Sequence, residues 1–279
     1  MRFSIIVVCL NPGEKLKETV DSILSQDCAD YEIIIKDGGS RDGSVDALQA
    51  DATYGSDARI RFFNQKDTGI YDAMNQAVSY ATGDFVLFLN CGDLFYDSRV
   101  LSKTAEYMDR ESAMQEDGTV PADKKSLANM VFYGNTYSGK NQVLITSPAK
   151  INTLSCYRNI PCHQSCFYAT RLCKEKPYDL QYSIRADYDH FLWCYYRSKA
   201  KMVAMDVTAS MYEGGGFSEN PSRRKKDLQE QESIIREYMS RKELLLCRLW
   251  KWGTLTPVRR RIAESRNFSK KYHKLREKL

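Results

Sequence analysis

Several short stretches of this 279-residue chain gather carboxylates, amides, hydroxyls and glycines. They are Asn11-Pro12-Gly13, Asp37-Gly38-Gly39-Ser40-Arg41-Asp42-Gly43-Ser44, Asp67 through Asn75, Asn90-Cys91-Gly92-Asp93, His163-Gln164, and Arg185 through Trp193 with its acids Asp187 and Asp189. Carboxylates can accept hydrogen bonds from a ligand, hold a hard divalent cation, or take a proton from an attacking hydroxyl. Glycines let backbone pass close to a ligand. Each stretch also has a plain structural reading. Asp37-Gly38-Gly39-Ser40 can be an Asp-capped turn, and Asp42 the cap of a following helix. Asp67 and Asp72 can be first-turn acids, Asp187 and Asp189 helix caps, and His163 a structural loop histidine.

The elements that must position these groups are legible in the first ninety residues. Phe3–Leu10 is an unbroken apolar run rich in β-branched residues, the pattern of a buried parallel strand. Leu16, Val20, Ile23 and Leu24 then mark one face of a helix. Tyr31–Ile35, Ile60–Phe63 and Phe85–Leu89 read as further strands. Between the last two, Ile70, Met74, Ala77, Val78 and Ala81 form a second helical stripe, stopped by Gly83. This alternation predicts an α/β fold with a mostly parallel, doubly wound central sheet flanked by helices. Ligands in such sheets bind beyond the carboxyl ends of the strands, where Asn11, Asp37 and Asn90–Asp93 fall. No G-x-G-x-x-G follows the first strand, which argues against an ordinary NAD or FAD enzyme.

The pattern weakens after Leu101. Asp109–Ala128, polar and mixed in charge, reads as an exposed insertion. Met130–Tyr133, Val143–Thr146, Ser165–Tyr168 and Met202–Asp206 read as short strands, and Ala186–Tyr196 as a helix. A Gly-rich loop, Glu213–Ser218, precedes one charged helix from Pro221 towards Leu246.

Four segments in this order, Ser4–Asn11, Asp37–Ser44, Gly69–Asn75 and Phe88–Asp93, resemble the family-2 glycosyltransferases of the GT-A, Rossmann-like type. Within them the chain is most similar to the subgroup that builds bacterial capsular and exopolysaccharide repeat units, the colanic acid type included. The likeness spans about residues 2–218, which divides the chain into a GT-A domain (nucleotide half about 1–100, acceptor-side half about 129–218) and a helical basic tail, 219–279. It implies an inverting transferase that moves a sugar from a nucleoside-diphosphate donor to a lipid-linked or oligosaccharide acceptor. Donor binding would fall to Asn11, Asp37, Gly39, Asp67, Tyr71, Asp72, Asn75 and Asn90. The family's D-x-D type metal motif is here Asn90-Cys91-Gly92-Asp93, so Asp93 is the carboxylate left to hold Mg²⁺ or Mn²⁺. Asp187 aligns with the catalytic base, with Asp189 as runner-up, and an expected Arg is replaced by Trp193. His163 and Gln164 resemble an acceptor-side motif, and Gly215 and Ser218 belong to a segment like the loop that closes over donor phosphates. Two other readings stay open: a sugar nucleotidyltransferase, which would want a Gly-rich, cationic phosphate loop after the first strand, and a non-catalytic nucleotide- or glycan-binding domain with a degenerate metal motif.

Residues 241–279 carry 13 Lys/Arg against 3 Asp/Glu, a net of +10, while the rest of the chain is mildly acidic. Leu244-Leu245-Leu246, Leu249, Trp250, Trp252, Leu255 and Ile262 are interleaved with those cations. That composition suits a helix lying on an anionic bilayer, with packing on the domain as the alternative. No nucleic-acid recognition module accompanies it. The nine cysteines, odd in number and without a secretion signal, read as reduced thiols. The expectation is a cytoplasmic enzyme, peripheral on the inner face of the plasma membrane.

Overall fold

In the computed structural model, which describes residues 2–116, 127–158, 160–212 and 221–253, the apolar runs form the centre of one mixed sheet. Its strands are β1 (Phe3–Cys9), β2 (Tyr31–Asp37), β3 (Ile60–Asn64), β4 (Phe85–Phe88), β5 (Asp93–Phe95), β6 (Met130–Ser138), β7 (Val143–Ile145), β8 (Cys166–Ala169) and β9 (Lys201–Tyr212). Every residue of β1 and β2 is buried, because helices cover both faces of a parallel sheet. The order is β3-β2-β1-β4-β8-β6-β9-β5, with β7 paired to β6. The β3-β2-β1-β4 half is parallel. Antiparallel β8 then joins β4 to β6, which runs parallel to β9.

The helices are α1 (Lys15–Leu24), α2 (Ser44–Ala50), α3 (Ala52–Gly55), α4 (Ile70–Tyr80), α5 (Val100–Glu116), α6 (Thr153–Arg158), α7 (Thr170–Glu175), α8 (Ala186–Tyr196), α9 (Arg224–Tyr238) and α10 (Arg241–Gly253). The stripes of α1 and α4 lie buried as their periodicity requires.

The second half departs from expectation in identifiable ways. Asp109–Glu116 is not loop but the end of α5, whose Val100, Leu101, Thr104 and Met108 are fully buried at helical spacing. Its polar residues hid that narrow stripe. Strand β9 runs on to Tyr212 because its second half pairs with both β6 and the short strand β5. The register of β6 on β9 shifts at Gly134, where a Cβ would stand 2.4 Å from the Val207 carbonyl oxygen. The charged helix after Pro221 is two helices. Ser240 N–H donates to Glu243 Oε2 (2.8 Å) and Glu243 N–H to Ser240 Oγ (3.3 Å), a capping box that starts α10 afresh. Helix α9 is part of the body: Ile234, Ile235 and Tyr238 sit in the same core as the sheet. Among the described residues, no helix is long and apolar enough to cross a membrane. All nine cysteines are free thiols.

Candidate active site

The loops after β1 and β2 are knotted together. Asn11, at φ 49°, donates its N–H to Ser40 Oγ (2.8 Å) and accepts from Arg41 N–H at its Oδ1 (2.8 Å). Asp37, at the end of β2, takes the Ser40 N–H (3.0 Å) and hydroxyl (2.6 Å), so the Asp-capped turn does form. Gly39 (φ 95°) sits inside that turn. Beneath it runs an ion pair between Lys36, fully buried in β2, and Asp67. Lys36 Nζ also donates to the Gln65 carbonyl (2.6 Å), and Asp67 accepts from Gly69 N–H (3.1 Å). A Cβ on Gly38 would lie 2.7 Å from Asp67 Oδ2, which explains a glycine at this position.

Asp72 and Asn75, both on α4, are also engaged internally. Asp72 accepts from the Thr68 N–H (2.8 Å) and hydroxyl (3.0 Å), which hold its carboxyl below the ordinary range. Asn75 imitates a strand partner for Tyr178: its amide donates to the Tyr178 carbonyl (2.9 Å) and accepts the Tyr178 N–H (2.8 Å).

A second set of groups converges from β4, β5, the 3-10 turn His163–Ser165, α4 and α8. Asn90 lies just past β4, where Leu89 and Cys91 continue the pairing to β1 through Ile6 and Val8 carbonyls. Gly92 (φ 96°) makes the turn that returns the chain to Asp93, a backbone shape that disfavours a carboxylate residue in its place. Asn90 Nδ2 lies 3.2 Å from His163 Nε2. His163 Nδ1 lies 3.6 Å from Asp187 Oδ2, and both side chains are 23% exposed. Tyr71 Oη reaches Asp187 Oδ1 (2.9 Å) and the Ile184 carbonyl (2.7 Å), sharing one proton between them.

The electrostatics of this set follow from partial enclosure. Burial pushes Asp187 towards the protonated form, but His163, Tyr71 and Arg185 outweigh it and bring its carboxyl below the ordinary range. For His163 burial acts downward, yet Asp187 and Asp93 hold the imidazole above its usual value. Asp93, opposed only weakly by His163, is pushed up by burial to about 6. Asp189 points elsewhere. It is buried, accepts from Tyr238 Oη (2.9 Å), and pairs with Lys176 at 3.4 Å, tying α8 to α9. Gln164 is buried in the same turn as His163. Gly215 and Ser218 lie outside the described residues.

Two donor-acceptor features bear on a divalent cation. Asn90 Oδ1 is buried without a hydrogen-bond partner, and no described residue donates to the Asp93 carboxylate. Oxygen donors of this kind suit Mg²⁺ or Mn²⁺. Among the described residues no group of three or more His, Cys, Asp or Glu could hold an ion unaided, so these two residues fit a cation only as partners of a ligand that brings oxygens of its own.

Lys36 and the Ser183-Ile184 backbone that precedes Arg185 were not singled out from sequence. A lysine inside the apolar run Tyr31–Asp37 was the available signal for the first; nothing local marks the second.

A parallel half-sheet with polar loops at its carboxyl ends, extended by antiparallel β8, is the architecture of GT-A glycosyltransferases. The chain superposes on Staphylococcus aureus TarS 1-349 in complex with UDP (TM-score 0.64, 18% identity), covering 84% of this chain and 64% of that one. It also superposes on the mannosyltransferase PcManGT from Pyrobaculum calidifontis in complex with GDP-Man and Mn²⁺ (TM-score 0.63, 15% identity; 87% and 66% covered). At these identities the likeness concerns the fold, and the chain spans slightly less than two thirds of the TarS fragment. Residues 4–171 match the family described as Glycosyl transferase family 2, and the chain belongs to that family. A PGL/p-HBAD biosynthesis glycosyltransferase of Mycobacterium bovis is 32% identical over 218 residues, 77% of this chain and 78% of its own. An uncharacterized glycosyltransferase of Mycobacterium tuberculosis is 27% identical over 208 residues (74% and 71%).

The Asn75 brace generates a clear expectation. Asn75→Ala strands the Tyr178 N–H and carbonyl and should destabilise the protein by about 2–4 kcal/mol, seen as a melting point several degrees lower. Binding of nucleoside diphosphate by calorimetry should stay within twofold; a tenfold loss with an unchanged melting point would make Asn75 a donor ligand instead.

Proposed function

We propose that the protein is an inverting glycosyltransferase that moves one sugar from a nucleoside-diphosphate sugar to a hydroxyl of a lipid-linked or oligosaccharide acceptor in cell-surface glycan assembly. The observation that carries this reading is Asp187: an ionised carboxylate at the first turn of α8, flanked by Tyr71 and His163, at the ligand-binding end of a GT-A sheet. UDP and GDP-Man in the structural neighbours support a nucleotide-sugar donor. The four-segment resemblance to the capsular and exopolysaccharide subgroup supports a cell-surface product.

In this reaction an acceptor oxygen attacks the anomeric carbon from the face opposite the diphosphate. The new C–O bond forms as the bond to phosphate breaks, the hydroxyl proton passes to Asp187, and the nucleoside diphosphate leaves. A hydroxyl becomes acidic only as its oxygen bonds to carbon, so a carboxylate of modest basicity suffices if it is positioned and ionised. Tyr71 orients one carboxylate oxygen by hydrogen bond, and His163 stabilises the anion. Asn90 and Asp93 would hold a divalent cation together with the diphosphate, and that ion supplies charge neutralisation for the leaving group.

Release of nucleoside diphosphate across a panel of donors and acceptors tests the activity. Asp187→Asn should lower turnover by about 10²–10⁴-fold with donor affinity within a few-fold, because the base acts on the acceptor. Near-native turnover in this variant would remove the assignment.

Mn²⁺ or Mg²⁺ should strengthen nucleoside-diphosphate binding, and Asp93→Ala should abolish the enhancement. The pH sign follows from the raised Asp93 carboxyl, about 6. Above that value the carboxylate is ionised and the cation binds; below it a proton must be displaced, so the enhancement shrinks, by roughly tenfold per unit at the limit. Calorimetry at pH 5, 6 and 7.5 reads this directly, and an enhancement independent of pH and of Asp93 would contradict it.

Membrane placement rests on α10. Leu245, Leu246, Leu249 and Trp252 are 57–80% exposed, whereas Cys247 is buried, and Glu243 accepts from Thr153 Oγ1 (3.2 Å) on α6. The helix is docked by one face and presents an apolar row with the cations Arg241 and Lys242 on the other. Replacing Leu245, Leu249 and Trp252 by Ser should reduce flotation with phosphatidylserine-containing liposomes several-fold at unchanged melting temperature. A lower melting temperature with unchanged flotation would instead make this face part of the folded body.

A further inference from the structure

Helix α9 lies beyond the segment that matches the family, yet it grips the chain immediately before Asp187. Glu230, buried on α9, accepts three consecutive backbone N–H groups with one carboxylate. Oε1 takes Ser183 N–H (3.0 Å) together with the Ser183 hydroxyl (3.1 Å); Oε2 takes Ile184 N–H (2.9 Å) and Arg185 N–H (3.0 Å). One turn earlier on α9, Asp227 receives Arg185 Nε (2.6 Å) and Nη2 (2.9 Å) as a two-pronged pair. The residues so held are those that set the site. Ile184 offers the carbonyl to which Tyr71 donates, Arg185 is the N-cap of α8, and its carbonyl accepts the Asp189 N–H that opens the helix. Asp187 stands between these anchors.

We infer that Glu230, seconded by Asp227, is a positioning residue for transfer: α9 fixes the 183–185 backbone so that Asp187 meets Tyr71 and the acceptor hydroxyl. The inference rests on the reading of Asp187 as base. The physical reason is directional. A segment of three irregular residues has no strand or helix partner of its own for these N–H groups, and a charged acceptor with two oxygens satisfies them in one orientation. Replacing one oxygen by an amide NH₂ turns an acceptor into a donor facing donors, which frees the segment to shift. A displacement of about 1 Å at a reacting group is enough to cost on the order of a hundredfold in rate. Tyr71 approaches from α4, so it cannot correct a displaced α8 terminus by itself; its hydroxyl would have to choose between the Ile184 carbonyl and the Asp187 carboxylate.

The test uses the full chain with Glu230→Gln, Asp227→Asn, Asp187→Asn and the Glu230→Gln/Asp187→Asn double variant. Each is assayed for kcat, donor KM, uridine- or guanosine-diphosphate affinity and melting temperature, at a temperature where all are folded. Glu230→Gln should lower kcat tenfold or more, with donor KM and diphosphate affinity within twofold. Asp227→Asn, on the more exposed side of the loop, should lower kcat about threefold with little change in melting temperature, and it carries the test alone if Glu230→Gln does not fold. In the Asp187→Asn background, Glu230→Gln should change the residual rate less than twofold, because the residue it positions is already disabled. A purely structural Glu230 would lower the melting temperature and leave kcat of the folded protein within twofold, which overturns the inference. Near-native kcat in Asp187→Asn would overturn the base assignment. A full additional loss in the double variant, relative to the residual rate of Asp187→Asn, would overturn the inference by showing that α9 acts on something other than Asp187.

Discussion

The Asp187 carboxyl is held below the ordinary range in a partly enclosed place, and elements from both halves of the chain meet to do it. Burial alone would protonate it. Three groups reverse the balance: an imidazole from the turn before β8, a phenol from the start of α4, and the guanidinium of Arg185 two residues upstream. Their sources lie far apart in the chain, so the carboxylate is held in its charged form only when α4, the turn before β8 and the start of α8 are packed together. The antiparallel insertion of β8 beside β4 makes this possible, since it places His163 opposite Asn90 at the ligand end of the parallel strands.

The donor side is organised differently. Asp37, Asp67, Asp72 and Asn75 spend their hydrogen-bonding capacity on the loops that carry them, and Lys36 adds a buried ion pair beneath. A buried pair of this kind contributes little net stability, but losing either partner leaves an uncompensated charge, so it specifies one loop shape rather than many. The outcome is a set of loops held in one shape by their own side chains. Asp93 and Asn90 are the contrast: Asn90 Oδ1 is buried without a partner and no described residue donates to the Asp93 carboxylate.

The boundary drawn after residue 218 illustrates how a folded body can cross a composition break. Residues 221–253 are strongly charged, yet Ile234, Ile235 and Tyr238 enter the core and Glu230 and Asp227 reach the base of the site. A charged helix is solvated on one face only; the other can hold as firmly as an apolar one when its carboxylates meet backbone N–H groups.

Local pattern alone determined β1 to β4, α1 and α4 and the turn chemistry of Asp37, while the candidate status of Asn90, Asp93, His163 and Asp187 came with the resemblance of four segments to a family. The elements and the turn follow from apolar runs, helical stripes and residue types that act on their near neighbours. The α5 extension was missed because a narrow buried stripe is masked by polar residues, and the α9/α10 break because its capping box, Ser240–Glu243, stands within a charged run. Tertiary structure decided the rest. It turned Asn75 and Asp189 into braces, paired Lys36 with Asp67, and brought Glu230 to the 183–185 backbone across more than forty residues. Hydrogen-bond partners of buried polar groups depend on which surfaces meet, and that is set by packing of the whole chain, not by the spacing of residues along it.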